Sequence, residues 1–216
     1  GIQTSGIRGR IGEVVSAGKL KTPAIIRSHG GRPRAIEHFT NNPKHFEVSS
    51  SEYANPANKS AYVNKLDFVV LSALEIDTNF NVNVITGSDG VLRGAPGGHP
   101  DTAAGSKCCI IVTPLTRGRM ATVCENVVTI TTPGDCVDIL VTDYGIAVNP
   151  LRQDLVECLD KAGVKHMPIE ELKNKAYSLV GTPADLKWED KVVAIVEARD
   201  GTILDVVRKI KPYTLD

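Results

Sequence analysis

The chain has 216 residues, of which 42% are hydrophobic, enough for a core in one large or two small domains. Lys and Arg together number 25, as do Asp and Glu, so the zero net charge gives no reason to expect nucleic acid or an anionic membrane as partner. No apolar run approaches the roughly 20 residues of a membrane span, and residues 1–10 lack the apolar block of a signal peptide.

The first 37 residues form a basic segment, with seven Lys or Arg against two Glu. Residues 8–17 have the pattern of one short helix, which Gly18 would end. Residues 23–27 predict a short strand, and this strand leads into the motif Ser-His-Gly-Gly-Arg at residues 28–32. We therefore expect one helix and one strand in this segment.

The middle of the chain alternates polar and apolar stretches. Residues 38–65 are rich in Asn, Ser and Pro and predict loops around one short strand near residues 46–50. Residues 66–77 are apolar with several β-branched side chains and predict one buried strand. A long glycine-rich loop follows at residues 87–105.

Three further strands are predicted at residues 109–115, 126–132 and 138–144, with a turn at residues 133–135 between the last two. The first and third of these strands are almost continuously apolar. Such strands are typical of a sheet that is covered on both faces.

The C-terminal third predicts two helices and a hairpin. Residues 151–162 carry apolar side chains at helical spacing and end at Gly163, and residues 169–179 form the second helix. Two β-rich stretches flank Arg199-Asp200-Gly201, and Asp-Gly is a strong signal for a tight hairpin turn. The whole sequence therefore predicts an α/β protein with an antiparallel tail.

Five cysteines, an odd number without disulfide-like spacing, predict reduced thiols and hence a cytoplasmic protein. The absence of a C-x-x-C pair gives no reason to expect a zinc or other metal site. Cys108 and Cys109 open an apolar run, so at least one of them is expected to be a buried small hydrophobe rather than a catalytic thiol.

The glycine-rich loop is the stretch most suited to chemistry. Six glycines in residues 87–105 permit positive φ angles and let a ligand approach the bare main chain. Several N–H groups could then converge on one anion. The loop is not a P-loop, because Gly105-Ser106-Lys107 has the wrong order, and the spacing G-x-G-x-x-G is missing. The alternative is a connector that only joins two layers.

Within this loop, the run from Gly97 to Gly105 reads Gly-Gly-His-Pro-Asp-Thr-Ala-Ala-Gly. It resembles the G-G-H-x-D-T-A-A-G motif of the citrate lyase alpha-chain family, which is part of the CoA-transferase superfamily. The resemblance covers most of the chain. Further similar stretches lie at residues 28–32, 72–77, 79–84, 114–119, 141–150 and 200–208.

The resemblance implies a CoA-transferase-like (NagB/RpiA-like) α/β fold. This fold has an open, largely parallel sheet with helices on both faces, and here a C-terminal β-hairpin. Residues 1–37 would come from or lie next to the first transferase half, and residues 38–216 would form the C-terminal domain, with the two packed as one domain. A long family stretch separates these segments, whereas Glu37 and His38 are adjacent here. We therefore expect a fragment, a trimmed domain or an internal deletion at this point.

The implied activity is acyl exchange, in which citrate and an acetyl-carrier protein (or acetyl-CoA) give a citryl thioester and acetate. The chain would be the transferase subunit of citrate lyase, in a hetero-oligomer with the acyl carrier (gamma) and lyase (beta) subunits. No permanent cofactor is implied. The co-substrate would be CoA or the CoA-like prosthetic group of the carrier, and the acyl group would pass through a mixed anhydride.

Two other interpretations stay open. The chain could be an acetyl-CoA hydrolase or short-chain acyl CoA-transferase of the same superfamily. It could also be a non-catalytic assembly domain of the lyase complex, because the absent stretch would hold much of the other half of the active site.

The resemblance also implies roles for individual residues. The N–H groups of Gly97, Gly98 and His99 would stabilise the oxyanion of the tetrahedral intermediate, and glycine would keep a Cβ from blocking the thioester. The His99 ring would donate to a thioester or citrate oxygen, or would only order the turn. Asp101 would orient His99 or hold the loop.

Citrate carries several carboxylates, so a cationic clamp is expected, since guanidinium groups bind carboxylates well. Glu75 lies in the predicted buried strand and is a possible base or nucleophile, or else a partner for a nearby Arg or main-chain group. The candidate binding residues are Arg93, Gly94, Ser28, His29, Gly30, Gly31, Arg32, Arg117, Arg119 and Glu75.

Overall fold

The computed structural model describes residues 2–4, 25–26, 49–55 and 57–211. The predicted helix at residues 8–17, the motif at residues 28–32, the junction of Glu37 with His38 and most of the predicted strand at residues 46–50 lie outside these residues.

The described strands and helices have the following bounds. The strands are β1 (Ile2–Thr4), β2 (Ile25–Ile26), β3 (Phe68–Leu71), β4 (Glu75–Asp77), β5 (Val82–Asn83), β6 (Cys108–Val112), β7 (Thr116–Arg117), β8 (Met120–Ala121), β9 (Val123–Cys124), β10 (Ile139–Val141), β11 (Ile146–Val148), β12 (Trp188–Glu197) and β13 (Ile203–Ile210). The α-helices are α1 (Ser50–Ala54), α2 (His99–Gly105), α3 (Gln153–Lys161) and α4 (Ile169–Val180).

The main sheet has the strand order β11-β10-β6-β3-β1-β2. Its strands pair in parallel except at the β10–β11 edge, which is antiparallel. A second, three-stranded sheet has the order β5-β4-β9, and β12 pairs with β13 as an antiparallel hairpin. The expected α/β class, with a largely parallel sheet and a C-terminal hairpin, is therefore confirmed.

One hydrophobic core joins these layers. Val69, Ile111 and Leu140 of the main sheet belong to the same buried cluster as Ile76 of the second sheet and Leu172 of α4. Each of these side chains is at most 1% exposed. The two sheets and α4 thus bury their apolar faces against one another, as layered α/β domains do.

Several predicted elements are confirmed with shifted ends, namely the strands at β6 and β10, the helices α3 and α4, and the C-terminal hairpin. Within the predicted strand at residues 23–27, the described part is strand β2. No helix in the described part of the chain is both long and apolar enough to cross a membrane.

The expectation of a strand reaching residue 50 is wrong, because helix α1 starts there. Ser49 accepts a hydrogen bond from the Glu52 amide at 3.2 Å, and the Glu52 carboxylate accepts one from the Ser49 amide at 2.9 Å. This reciprocal capping box satisfies two amides that the first helical turn leaves free.

The expectation of one strand at residues 66–77 is also wrong. The chain leaves the main sheet after β3 and enters the second sheet as β4. Between them, the Ala73 carbonyl accepts hydrogen bonds from the side chains of Thr113 and Arg117. These side-chain donors take the place of a neighbouring strand, which the local sequence does not reveal.

Residues 126–132 form no regular strand, contrary to expectation; Thr132 makes only an isolated bridge to Val82. The amide and hydroxyl of Thr131 both donate to the Val82 carbonyl at 2.9 Å, and the Val84 amide donates to the Thr131 hydroxyl at 3.1 Å. Threonine hydroxyls here compete with the regular main-chain ladder.

The site is positioned by the carboxyl ends of three parallel strands. Ser72 follows β3, Thr113 follows β6 and Asp143 lies two residues past β10. The Asp143 carboxylate accepts a hydrogen bond from the Leu115 amide at 2.7 Å, so the strand ends are tied together. In open α/β sheets, ligands bind beyond this edge.

Candidate functional site

The first part of the glycine-rich loop is a tight hairpin. The Gly87 amide donates to the Val91 carbonyl at 3.1 Å, and the Arg93 amide donates to the Ile85 carbonyl at 2.7 Å. The Arg93 guanidinium forms a two-pronged ion pair with Asp89. Arg93 therefore already has a carboxylate partner within the protein, and its candidate role as a citrate clamp stays a prediction.

Glu75 lies beneath this hairpin and is completely buried. One carboxylate oxygen accepts a hydrogen bond from the Ser88 amide at 2.6 Å, while the other has no partner among the described residues. Burial raises the pKa of the Glu75 carboxyl, and the bonds from Ser88 oppose that rise. This contact agrees with one of the predicted alternatives, in which Glu75 is a structural partner for a main-chain group.

Gly97 and Gly98 occupy the turn before helix α2. Gly97 is exposed and has φ of +53°, a conformation that favours glycine. A Cβ at Gly98 would lie 3.3 Å from the Tyr53 ring, so packing against α1 explains this glycine better than access for a thioester does. Among the described residues, the amides of Gly97 and Gly98 donate to no protein acceptor, whereas the His99 amide donates to the Pro96 carbonyl.

The main chain at Gly94, which is exposed, lies close to the main chain of Val84. A Cβ at this position would lie 2.6 Å from the Val84 carbonyl oxygen, a distance that only a displaced backbone would tolerate. Glycine at position 94 is therefore explained by its contact with the neighbouring main chain, and its candidate role in binding stays a prediction.

The His99 ring points into the protein and is only 8% exposed. Its Nε2 lies 2.9 Å from the Ser72 carbonyl oxygen, which can only accept, so Nε2 carries the hydrogen. Burial lowers the pKa of His99 to about 4, so the ring is neutral at pH 7 and Nδ1 accepts from the Thr132 hydroxyl at 2.7 Å. Because both ring nitrogens are bonded within the protein, the contacts favour the alternative in which His99 orders the turn, and its role toward a substrate stays a prediction.

Asp101 is also buried, and its partner comes from the C-terminal hairpin. Its carboxylate accepts a hydrogen bond from Nε of Arg199, at the hairpin turn, over 2.8 Å. Asp101 makes no hydrogen bond with the His99 ring, whose partners are Ser72 and Thr132. The bond to Arg199 agrees with a role in holding the loop, and the part of Asp101 in the reaction stays a prediction.

Arg117 lies at the carboxyl edge of the main sheet. Its Nη2 donates to the Ser72 hydroxyl at 3.3 Å, the Ala73 carbonyl at 2.9 Å and the Thr113 hydroxyl at 3.2 Å. Arg119, two residues later, is exposed and makes no hydrogen bond or ion pair to a described residue. The structure thus brings Arg117 and His99 together at Ser72, while Arg93 lies with Glu75 and Asp89.

Sequence reasoning missed four residues that build this site, namely Ser72, Thr132, Arg199 and Tyr53. Arg199 was expected only as part of a turn, although a buried acid such as Asp101 calls for a cation. The partner is 98 positions away in sequence, and no local spacing indicates such a pair. The candidates Ser28, His29, Gly30, Gly31 and Arg32 lie outside the described residues.

The thiols take no part in this arrangement. Cys108 and Cys109 are both buried, as expected for at least one of them. Burial raises the pKa of both, that of Cys108 to about 11, so these thiols are poor nucleophiles near neutral pH. Among the described residues, no group of three or more His, Cys, Asp or Glu side chains is placed to hold a metal ion.

Comparison with solved structures supports the same architecture. The crystal structure of the alpha subunit of citrate lyase from Streptococcus mutans, in complex with citrate, matches with a TM-score of 0.87 and 45% sequence identity. The match covers 98% of this chain and 41% of that chain. The fold therefore corresponds to part of that subunit.

Two curated relatives are named citrate lyase alpha chain. The one from Haemophilus influenzae is 56% identical over 177 residues, which are 82% of this chain and 35% of the relative. The one from Klebsiella pneumoniae is 50% identical over 206 residues, which are 95% of this chain and 40% of the relative. The chain thus spans well under half the length of these relatives.

A family model described as citrate lyase, alpha subunit (CitF), matches residues 1–40 and 35–210 as two pieces. Two separate pieces, together with the partial coverage of the relatives, fit the expected absence of a stretch near Glu37 and His38. Because the matches extend over most of its length at 50–56% identity, the chain belongs to the citrate lyase alpha subunit family.

Proposed function

We propose that this chain carries the acyl-exchange site of a citrate lyase alpha subunit. In the reaction, citrate and an acetyl-carrier protein (or acetyl-CoA) give a citryl thioester and acetate. Membership of the family and the citrate bound to the Streptococcus mutans relative support this assignment. The observation that carries it is the pair of free main-chain amides at Gly97 and Gly98.

These amides suit the charge that the reaction creates. When a citrate carboxylate oxygen adds to the acetyl thioester carbon, negative charge develops on the thioester oxygen. A donor aimed at that oxygen lowers the activation free energy by about 3–4 kcal/mol. The Gly97 and Gly98 amides supply two such donors, while the His99 amide is excluded because it is bonded to Pro96.

The reaction can proceed without a covalent acyl-enzyme intermediate. The tetrahedral intermediate expels the thiolate of CoA or of the CoA-like carrier group and leaves a mixed anhydride of acetate and citrate. The same thiolate then attacks the citryl carbonyl, and acetate departs. In this scheme His99 and Asp101 hold the turn that presents the amides, and neither transfers a proton.

The proposal also covers the partner subunits, the domain organisation and the location of the chain. The chain works with the acyl carrier (gamma) and lyase (beta) subunits in a hetero-oligomer. Residues 1–37 and 38–216 pack as one domain, an assignment that the pairing of β1 with β3 supports. Five cysteines without a disulfide favour the cytoplasm.

One observation favours a second function. Because the chain spans only 35–40% of its curated relatives, it is a candidate for a non-catalytic assembly domain of the lyase complex. Thioester exchange by the isolated 216-residue chain separates the two functions. Formation of a citryl thioester from acetyl-CoA and citrate supports the transferase, and a preference for acetate or butyrate over citrate would instead indicate a short-chain acyl CoA-transferase.

Removal of one amide tests the role of the turn. Glycolic acid at position 98 replaces the Gly98 amide by an ester and deletes only the N–H. We expect turnover with citrate to fall about 100- to 1000-fold, because one oxyanion donor is lost. The same replacement at Gly163, which is exposed, has φ of +67° and donates only to the Asp160 carbonyl after helix α3, should leave turnover unchanged. Equal rates for the two esters would refute the role of Gly98.

A further inference from the structure

Arg117 is held in place by one of its three nitrogens. Nη2 shares its two hydrogens among three neutral oxygens, those of Ser72, Ala73 and Thr113, at 2.9–3.3 Å. Thr113 donates its own hydroxyl hydrogen to the Ala73 carbonyl, so its oxygen is left to accept from Arg117. The guanidinium is therefore oriented before any ligand arrives.

The positive charge of Arg117 is not neutralised by this arrangement. Arg93, Arg152 and Arg199 are each paired with an aspartate. Arg117 has no carboxylate within ion-pair distance among the described residues, and its Nη1 and Nε make no hydrogen bond there. An oriented guanidinium with free N–H groups can bind a carboxylate or phosphate through charge-assisted hydrogen bonds.

The position of Arg117 relates this charge to the reacting centre. Ser72 accepts from Arg117 through its hydroxyl and from His99 through its carbonyl. His99 directly follows Gly97 and Gly98, so Ser72 anchors both the guanidinium and the turn that carries the free amides. Both also lie at the carboxyl edge of the main sheet, where open α/β sheets bind ligands.

We propose that Arg117 binds a second carboxylate of the acceptor acid, one that does not attack the thioester. The inference rests on the proposed function and assigns the residue that recognises the non-reacting part of the acceptor. One carboxylate reacts beside Gly97 and Gly98, and another receives charge-assisted hydrogen bonds from Nη1 of Arg117. A monocarboxylic acid cannot make both contacts, so this arginine selects the acceptor.

Citrate binding to the full 216-residue chain tests the inference directly. Isothermal titration with citrate, and with acetate as the monocarboxylic comparison, should give measurable affinity for citrate alone. Arg117→Met should weaken citrate binding roughly 10- to 100-fold, because charge-assisted hydrogen bonds are lost. Arg208→Met is the matched control; Arg208 is also exposed and bonded only to a neutral oxygen, the Asp190 carbonyl, so this variant should bind citrate within about twofold of the wild type.

A second variant guards against loss of the fold. Arg117→Lys keeps the charge, but its single ammonium cannot reach the Ser72, Ala73 and Thr113 oxygens and present further donors to the ligand at once. We expect its citrate affinity to fall between those of the wild type and Arg117→Met. If circular dichroism shows that Arg117→Met is unfolded, Arg117→Lys decides, and wild-type affinity in that variant overturns the inference.

Other outcomes also decide. Equal citrate affinity for Arg117→Met and Arg208→Met, or no citrate binding by the wild-type chain, overturns the inference. Thioester exchange measured on the same samples separates it from the proposed function. Exchange that persists with an unchanged KM for citrate in Arg117→Met refutes the role of Arg117 alone. Citrate binding that depends on Arg117, without any exchange, supports that role and refutes the transferase.

Discussion

At the scale of single residues, the His99 ring fixes the turn that carries the free amides. Its hydrogen bonds to Ser72 and Thr132 connect the start of α2 to the end of β3 and to the segment before residues 133–135. The bond to Thr132 depends on the neutral ring, since Nδ1 must accept there, whereas Nε2 can donate to the Ser72 carbonyl in either protonation state. Protonation of His99 therefore breaks the bond to Thr132 and loosens the turn.

Protonation of His99 should destabilise the protein in acid. The folded pKa of about 4 lies below the unfolded value near 6.5, so the folded state binds fewer protons between these values. The stabilisation is complete above about pH 6.5 and is lost as the pH falls toward 4. Urea unfolding at pH 7 and pH 4.5 measures this effect. Between these pH values, the unfolding free energy of the wild type should fall by about 2–3 kcal/mol more than that of His99→Gln. The same acid loss in both proteins would contradict this account of the ring.

At the scale of elements, the C-terminal hairpin braces both ends of the glycine-rich loop. At the near end, a Cβ on Gly90 would overlap the Ile210 side chain at the end of β13. At the far end, Arg199 of the hairpin turn pairs with Asp101 of α2. Asp205 of the hairpin also accepts a hydrogen bond from the Ile130 amide at 2.8 Å through its carboxylate. The loop thus keeps its shape through contacts made late in the sequence.

The Asp101–Arg199 pair should be strongly coupled. Arg199→Met leaves the buried Asp101 carboxylate without its cation and should cost about 2–3 kcal/mol of unfolding free energy. Adding Asp101→Asn should recover much of that loss, because the uncompensated charge is gone. Urea unfolding of the two single variants and the double variant gives the coupling energy.

A more exposed pair in the same hairpin serves as control. Lys209 and Glu189 pair across β12 and β13 with side chains that are 49% and 30% exposed. Lys209→Met should cost under about 1 kcal/mol. Additive effects of the Asp101 and Arg199 substitutions would mean that the hairpin does not brace the loop through this pair.

The same contrast between local and distant contacts explains what the sequence could predict. Helices α3 and α4 and the hairpin of β12 and β13 carry their own periodicity and turn signals, and they form where expected. The break between β3 and β4 could not be foreseen, because it depends on Thr113 and Arg117 from distant positions. Helix α2 was missed because Gly97, Gly98 and Pro100 indicate a loop, although proline is compatible with a first helical turn.

The candidate site was predictable only in part for the same reason. The motif at residues 97–105 and the expected arginines predicted residue types for the candidate site, yet which arginine lacks a carboxylate partner depends on tertiary contacts. Arg93 finds Asp89 four residues earlier, a pairing that sequence spacing allows. The anchoring of Arg117 by Ser72 spans 45 positions and has no local signal.

At the scale of the whole molecule, one sheet is built from two distant parts of the chain. Strand β1 pairs with the edge strand β2 on one side and with β3 on the other, so it joins the N-terminal strands to the strands that come from residues 68–148. Without β1, the main-chain groups of β3 that face it would form an open edge. An open edge strand loses ladder hydrogen bonds and favours association with other chains.

Loss of β1 should therefore lower the stability of the whole chain. Gln3→Pro removes a main-chain donor in the middle of β1 and should cost about 2–3 kcal/mol, or roughly 4–12 °C in Tm. Gln3→Ala keeps that donor and serves as the matched control. Deletion of residues 1–37 should lower Tm at least as much and increase association in light scattering, and calorimetry of the full chain should show one transition. A separate second transition, or an unchanged Tm after the deletion, would mean that residues 1–37 do not share a domain with the rest.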